Sequence, residues 1–288
     1  MSFVAVRLIE VPYDSGHRDQ RMGSGPLTLA DAGAGELLRS HGHEVREQLV
    51  EADPAWRSET VTAFQLHRAV AKAAKDARAL GEFPLLLSGN CNTSVGMLAG
   101  GLARGLAWFD AHGDLNTPET TPSGFLDGQA LAMATGRCWQ AAIATVSGFT
   151  PVADDAVLLV GARDFDQAEQ ETLRRSAIAT LAPADARAPG RCAGAVDSWA
   201  ERIDGGVHVH VDLDVYDPSI GPANAYAVPG GLLTEDVRRV VTALARRVPL
   251  VSATLASFDP RGDRDNGIRD AALDLLVLLA GLATVTDR

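Results

Sequence analysis

The ten residues Gly206–Val215 read GVHVHVDLDV, in which apolar and polar side chains alternate strictly. A period of two predicts a β-strand with one apolar face and one polar face. Burying unpaired carboxylates is costly, so a strand that ends in Asp212 and Asp214 needs a cation near its carboxyl end. The two histidines behind them, His208 and His210, are interpreted as core residues, and His210 could also orient a ligand carboxylate.

Apolar runs that predict strands alternate along the chain with amphipathic runs that predict helices. Strands are predicted at Val4–Val11, Pro84–Leu87, Gly105–Phe109, Ala156–Gly161 and Leu250–Ser257, helices at Leu27–Ser40, Glu59–Leu80, Leu232–Arg246 and Ala271–Thr284, and a surface loop at Ala182–Pro189. Strands this apolar are typical of a parallel sheet that helices cover on both faces. We therefore predict one α/β domain over residues 1–288, with a mostly parallel central sheet.

The composition of the chain argues against several classes of protein. A net charge of −11 repels phosphate backbones, so nucleic acid is not expected as a partner. The most apolar segment, Ala271–Thr284, is too short to span a bilayer and contains Asp274, so no membrane association is expected. The three cysteines are far apart and form no CxxC motif, which favours the reducing cytoplasm as the location.

A second polar cluster follows an apolar run at Trp108–Asn116, WFDAHGDLN. Asp110, His112 and Asp114 alternate there, so their side chains would point the same way where a strand ends. Alone, this pattern also fits a solvated turn. Together with the two aspartates of the first stretch, it predicts an oxygen-rich site for hard divalent ions, because ligands bind beyond the carboxyl ends of parallel strands. Two ions sharing aspartates would lower the pKa of a water between them and favour hydrolysis.

Three motifs carry a resemblance to a known family. DAHGDLN and DLDVYDP resemble the two metal motifs of the metal-dependent ureohydrolases, arginase and its relatives, and VPGGLLTED is similar to the glycine turn and helix of that family. The resemblance covers nearly the whole chain. It implies a three-layer α/β/α fold, a homo-oligomer (trimer or hexamer) and two Mn²⁺ ions per subunit, which activate water to attack a guanidino carbon. The implied metal ligands are Cys91, Asp110, His112, Asp114, Asp212 and Asp214.

By the same resemblance, these ligands divide between two ions. Asp110 and His112 bind one ion, and Asp114 binds the other. Asp212 and Asp214 bridge the ions or are shared by both. Asp114 also counts among the residues predicted to act in catalysis.

The resemblance further implies a free α-amino acid as the substrate. In the loop NTPETTPSG, the groups that would hold the α-carboxylate are Asn116, Thr121 and Ser123, although such a loop could also be a turn stabilised by its own side chains. In VGARDFDQAE, the carboxylates that would face the α-ammonium group are Asp166 as the direct contact, Asp164 as its neighbour, and Glu169. This set favours an amino acid over decarboxylated agmatine.

Several positions depart from the arginase pattern. Cys91 stands in place of a metal-binding histidine, and Asn90 replaces the usual aspartate beside it. Because thiolate is softer than Mn²⁺ prefers, Cys91 either binds the ion, binds it weakly, or is an inert buried cysteine. Asp127, the second predicted catalytic residue, stands where arginases have a proton-shuttling histidine. Ser257 stands where the family has a glutamate that pairs with the guanidinium, and Tyr226 replaces a small threonine, both at positions predicted to contact the substrate.

The amino-acid end of the predicted site therefore matches arginases, whereas the guanidine end differs. A less basic guanidine suits this difference, and the resemblance extends to the enzymes that cleave Nω-hydroxy-L-arginine to ornithine and hydroxyurea in antibiotic biosynthesis, which also carry cysteine at the Cys91 position. This activity is our hypothesis. Three alternatives stay open: an ordinary arginase, a degenerate metal-binding protein without catalysis, and a C–N hydrolase acting on formimino or amide substrates.

Overall fold

The computed structural model describes residues 4–101 and 103–285. Within them, one sheet contains eight strands: β1 Ala5–Val11, β2 Glu44–Leu49, β3 Glu82–Ser88, β4 Ala103–Phe109, β5 Val157–Val160, β6 Ala179–Leu181, β7 Gly206–Asp212 and β8 Leu250–Ala256. Their spatial order is β2-β1-β3-β8-β7-β4-β5-β6, and every neighbouring pair is parallel. The predicted α/β fold with a central parallel sheet is confirmed.

Helices cover both faces of this sheet. They are α1 Gly25–Asp31, α2 Ala34–Ser40, α3 Glu59–Ala79, α4 Ser94–Gly100, α5 Ala130–Ala134, α6 Gln140–Ile143, α7 Gln167–Arg175, α8 Pro183–Arg187, α9 Pro189–Ala200, α10 Thr234–Ala245 and α11 Gly267–Leu282. One face packs against α1, α2, α9, α10 and α11. The other packs against α3, α4 and α5. The three-layer α/β/α arrangement is therefore confirmed.

The four central strands β3, β8, β7 and β4 end side by side at one edge of the sheet. Their last residues are Ser88, Ala256, Asp212 and Phe109. The segments that leave these four ends contain the metal motifs of the sequence. A parallel sheet brings them together because all its strands point the same way, so their carboxyl ends form one rim.

Two of the sequence-based helix and loop predictions are wrong. Leu27–Ser40 is two helices, α1 and α2, because Gly33 adopts a left-handed φ of 91° between them. Ala182–Pro189 is helical over most of its length: α8 lies within it, and α9 begins at Pro189. Proline is tolerated in the first turn of a helix, where its missing N–H has no partner to lose.

The predicted strand Gly206–Val215 is correct only as far as Asp212. Leu213–Val215 forms a single 3₁₀ turn, since the Asp212 carboxylate accepts a hydrogen bond from the Asp214 N–H at 2.8 Å. The side chain thus takes the backbone donor that a longer strand would use. Strands β2 and β6 were not predicted, because both lie at sheet edges and lack a buried apolar run.

None of the helices in residues 4–101 and 103–285 combines the length and apolarity needed to cross a membrane. Cys91, Cys138 and Cys192 are free and buried.

A buried histidine in α3 makes stability depend on pH. His67 is fully buried, lies 2.7 Å from Asn92 Oδ1 through Nε2, and has its pKa lowered by burial from 6.5 to about 4. The unfolded chain therefore binds more protons than the folded chain between pH 6.5 and pH 4, so stability falls as the pH drops through this window. Since each unit of pKa difference contributes about 1.4 kcal/mol, we expect a loss of about 3 kcal/mol from this residue.

Urea unfolding of the metal-free protein at several pH values would measure this contribution. His67→Gln keeps a donor for Asn92 but cannot be protonated, so its free energy of unfolding should fall about 3 kcal/mol less over the window. An equal fall in the variant and the unmutated protein would contradict a buried neutral ring at this position.

Candidate active site

The residues predicted to bind metal converge at the rim of the sheet. Cys91 opens the 3₁₀ turn after β3, and its Sγ lies 2.9 Å from Asp212 Oδ2 at the end of β7. His112 Nδ1 lies 3.3 Å from Asp110 Oδ1 and 3.4 Å from Asp214 Oδ2. All of these side chains are buried except that of His112, which is 27 % exposed. The sequence motifs are therefore close together in space.

Burial and the mutual repulsion of the carboxylates determine the electrostatics of this cluster. Burial raises the pKa of Asp110, Asp114 and Asp212, and the neighbouring carboxylates raise it further. Burial alone would lower the pKa of His112, but hydrogen bonds to Asp110 and Asp214 outweigh it and raise the pKa to about 12. The cluster therefore draws positive charge to itself, and a proton on His112 supplies some of it.

The same observation tests whether these residues fit metal ions. Buried carboxylates that crowd one another repel unless protons or a cation neutralise them, and a metal ion supplies the larger charge. One carboxylate oxygen each from Asp110 and Asp214 and one ring nitrogen of His112 lie within 4.8 Å of one another, close enough to share an ion. Oxygen and imidazole donors suit divalent ions such as Mn²⁺. The residues present fit a metal centre.

Two residues at this rim adopt backbone conformations that are unusual for residues other than glycine. Asp114 has a φ of 51° and Ser257 a φ of 65°, both in the left-handed region. Backbone hydrogen bonds hold them there: Asp114 O accepts from Ala132 N at 2.9 Å, and Ser257 N donates to Ser88 O at 3.1 Å. Such strain persists only where the surrounding structure enforces it, and it often marks functional sites.

A cavity of about 200 Å³ opens beside the metal-binding residues. Its lining includes Asp114, which is predicted to act both as a metal ligand and in catalysis, and eight predicted site residues that are not metal ligands: Asn116, Thr121, Ser123, Asp127, Asp166, Glu169, Tyr226 and Ser257. Asp164 does not line the cavity, and its side chain is exposed. The predicted contact of Asp164 with a substrate is therefore not supported by its position.

At one end of the cavity, two loops are joined by polar contacts. Asn116 Nδ2 donates to Asp166 Oδ2 at 2.7 Å. Glu169 is buried, and its two carboxylate oxygens accept from the backbone N–H groups of Leu115 and Asp166, both at 2.9 Å. Glu169 thus fixes the two loops against each other, whereas Asn116 and Asp166 line the cavity.

Asp127 lies between the cavity and the turn that carries Cys91. Asn92 donates to Asp127 Oδ1 from its backbone N–H at 2.8 Å and from its side chain at 3.0 Å, and Asn90 Nδ2 donates to Oδ2 at 2.8 Å. Burial raises the pKa of Asp127 to about 7, despite these hydrogen bonds. A carboxyl group of this kind can hold or release a proton near neutral pH.

The sequence did not identify several residues that support the site. Trp108 Nε1 donates to Asp110 Oδ2 at 3.0 Å, and Asn224 Nδ2 donates to Asp214 Oδ2 at 3.2 Å. The Arg163 guanidinium donates to backbone carbonyl oxygens around β7, including those of Asp214 at 3.0 Å and Val228 at 2.7 Å. Trp108 adjoins a recognised motif, but no spacing signal pointed to Asn224 or Arg163.

Comparisons with known proteins agree with this geometry. Residues 4–280 match the model of the arginase family, and the chain therefore belongs to that family. An arginase from Bacillus caldovelox is 28 % identical over 96 % of this chain and 98 % of its own, and its crystal structure superposes with a TM-score of 0.87. An N(omega)-hydroxy-L-arginine amidinohydrolase from Streptomyces lavendulae is 31 % identical over 81 % of this chain and 82 % of its own.

These matches define the class of reaction. The protein is a metal-dependent amidinohydrolase of the arginase family, which acts on guanidino C–N bonds. A formimidoylglutamase structure from Bacillus subtilis has a TM-score of 0.75 at 18 % identity, which shows a shared fold only.

Proposed function

We propose that this protein hydrolyses Nω-hydroxy-L-arginine to L-ornithine and hydroxyurea, with two Mn²⁺ ions per subunit. The observation that carries the proposal is the neutral Ser257 hydroxyl, which lies in the cavity wall 3.1 Å from Cys91 Sγ. This is the position at which the family resemblance leads us to expect a carboxylate facing the guanidinium.

The charges around Ser257 explain why a less basic guanidine is favoured. Arginine carries a permanently protonated guanidinium, and a buried cation without a carboxylate partner binds weakly. The other carboxylates that line the cavity have different partners. Asp114, Asp212 and Asp214 belong to the metal cluster, Asp127 accepts from two asparagines, Glu169 accepts from two backbone N–H groups, and Asp166 accepts from Asn116. An electron-withdrawing oxygen on the guanidine lowers its basicity. A neutral guanidine group of the substrate could then accept a hydrogen bond from the Ser257 hydroxyl and would need no carboxylate partner.

The opposite end of the cavity supports an amino acid as the substrate. Asn116 and Asp166 line it and contact each other, and Thr121 and Ser123 line it as well. In the loop, Thr121 Oγ1 accepts from Gly124 N at 3.1 Å, which leaves its proton to donate to a carboxylate. The Asp166 carboxylate would attract an α-ammonium group.

The chemistry then divides among the residues of the chain and the ions. Asp110, His112, Asp114, Asp212 and Asp214, with Cys91, would hold the ions. When bound, such ions supply a nucleophile at neutral pH by acidifying water. Asp127 lies within the cavity wall and would transfer a proton to the leaving nitrogen. Asp114 also lines the cavity and belongs to the metal cluster.

A kinetic comparison of two substrates tests the proposal. The Mn²⁺-loaded protein is assayed with Nω-hydroxy-L-arginine and with L-arginine, ornithine is quantified, and the second product is identified as hydroxyurea or urea. We expect kcat/KM to be at least about tenfold higher for hydroxyarginine, which corresponds to about 1.4 kcal/mol of transition-state binding. Agmatine, which lacks the α-carboxylate, serves as the control and should react poorly.

A higher kcat/KM for L-arginine would refute this substrate and favour an ordinary arginase. That second candidate is favoured by the 28 % identity to the Bacillus caldovelox arginase. Turnover of neither substrate by metal-loaded protein would favour a different guanidino amino acid.

Three wider expectations belong to the same proposal. We propose a homo-oligomer, as the family resemblance implies, in a reducing cytoplasm, with a product that enters antibiotic biosynthesis. The three free, buried cysteines are compatible with a reducing compartment. Mass measurement in solution would test the oligomer, and the hydroxyurea assay would test the product.

A further inference from the structure

His210 occupies an unusual place behind the metal cluster. Its side chain is fully buried on β7, two residues before Asp212. The imidazole stacks on the indole of Trp108 with a ring-centroid distance of 3.6 Å and an interplanar angle of 19°. Ser94 Oγ lies 2.8 Å from His210 Nδ1. These contacts fix the ring in one orientation.

The hydrogen-bond network identifies which ring nitrogen carries the proton. Ser94 Oγ donates to Thr254 Oγ1 at 3.1 Å, so its oxygen is free to accept from His210 Nδ1–H. His210 Nε2 is then the nitrogen with the lone pair. It is buried and has no hydrogen-bond partner within residues 4–101 and 103–285. A buried polar atom without a partner is costly, which calls for a ligand at this position.

The free nitrogen lies next to two predicted metal ligands. His210 Nε2, Cys91 Sγ and a carboxylate oxygen of Asp110 all lie within 4.8 Å of one another. Three donor atoms at this spacing can surround one ion. Asp110 also belongs to the group with His112 and Asp214 described above, so the two groups share one carboxylate.

We propose that His210 Nε2 is a metal ligand, and that His210, Cys91 and Asp110 together bind one divalent ion. The inference rests on the proposed metal centre and assigns it a ligand that the sequence motifs do not contain. Cys91 stands where the family resemblance leads us to expect a histidine. An imidazole from β7, two strands away in the sheet, would restore the nitrogen donor that this substitution removes.

The donor set also distinguishes the two ions. Sulfur, nitrogen and oxygen together suit borderline ions such as Zn²⁺ and Co²⁺, whereas the group of His112, Asp110 and Asp214 suits harder ions such as Mn²⁺. The Ser94 hydroxyl would orient the ring through Nδ1, in the manner typical of metal-bound histidines. Cobalt should therefore bind tightly at Cys91, and its spectrum should carry a thiolate-to-metal charge-transfer band.

Cobalt titration of two histidine variants tests this site. His210→Asn can still donate to Ser94 but has no atom at the Nε2 position. His208→Asn is the matched control, because both nitrogens of His208 already have partners, Ser252 at 2.7 Å and Thr254 at 3.1 Å. Metal is first removed with a chelator, and Co²⁺ binding is followed by calorimetry and absorption.

We expect two Co²⁺ ions per subunit and a charge-transfer band in the unmutated protein and in His208→Asn. In His210→Asn, one ion should bind about 100-fold more weakly, with loss of the band, while the other ion keeps its affinity. An unchanged affinity and band in folded His210→Asn would overturn the assignment. If this variant does not fold, X-ray absorption of the unmutated cobalt protein decides, with two bound imidazoles expected and one refuting the proposal.

Failure of this site and failure of the proposed function give different results. If the protein hydrolyses a guanidino amino acid but its cobalt form shows no thiolate band, the proposed His210 site is refuted and the proposed function stands. If the protein binds both ions as described but hydrolyses none of these substrates, the proposed site stands and the proposed function is refuted.

Discussion

Asp212→Asn is expected to lower the affinity for Mn²⁺ by more than about 100-fold, and hydrolysis should fall with the bound metal. Asp212 is buried at the end of β7, where its carboxylate contacts Cys91 Sγ and accepts from the Asp214 N–H. Asparagine keeps the size of the side chain and one acceptor oxygen. It removes the charge that the family pattern shares between two ions. Metal content after dialysis, together with product formation, measures both effects.

The same substitution should not destabilise the metal-free protein. Burial, followed by the charges of Asp214 and Asp110, raises the pKa of Asp212, so burial and repulsion together disfavour its charged form. A neutral amide relieves that repulsion, and the variant should unfold at a urea concentration equal to or above that of the unmutated apoprotein. Asp155→Asn, at an exposed position away from the cavity, is the control and should keep metal and activity. Two tightly bound Mn²⁺ ions in Asp212→Asn would contradict the assignment.

Asp127→Asn is expected to reduce kcat by about 10²–10⁴-fold, the range typical of a lost general acid or base. Asp127 lines the cavity, and burial raises its pKa to about 7. Asparagine retains an oxygen for the donors of Asn90 or Asn92 but has no proton to transfer. KM should change much less, because binding groups at the other end of the cavity are untouched. Steady-state kinetics at saturating Mn²⁺ give both constants.

Metal content separates this role from a structural one. Asp127 is not among the predicted ligands, so Asp127→Asn should bind as much Mn²⁺ as the unmutated protein. If kcat falls only in proportion to lost metal, Asp127 supports the metal site and does not transfer protons. A kcat within a few-fold of the unmutated value would also exclude the proposed proton transfer.

The central part of the fold could be predicted because its signals are local. The apolar runs before the metal motifs follow directly from burial on both faces of a parallel sheet. The strict alternation in Gly206–Val215 follows from the two-residue side-chain period of a strand. The edge strand Glu44–Leu49 was missed because its residues, EVREQL, are mostly exposed and show no apolar run. Helix α8 was missed because it lies within Ala182–Pro189, a segment rich in proline and alanine that resembles a loop.

The candidate site could be predicted only where its residues lie in compact motifs. Asp110, His112 and Asp114 occur within five residues of one another. Asn224 comes ten residues after its partner Asp214, on a loop whose path depends on tertiary contacts. Alternation placed His210 on the same face as Asp212, but only the three-dimensional arrangement reveals that its Nε2 lacks a partner.

Stability and chemistry are opposed at Asp114 and Ser257. Their left-handed backbone costs a residue with a β-carbon about 1–2 kcal/mol relative to glycine, so glycine would be the stabilising choice at both positions. Glycine would also delete a carboxylate from the metal cluster or a hydroxyl from the cavity wall. A laboratory selection for thermal stability alone should therefore drift toward glycine at these two positions and lose activity, whereas a selection for turnover should retain the less stable residues.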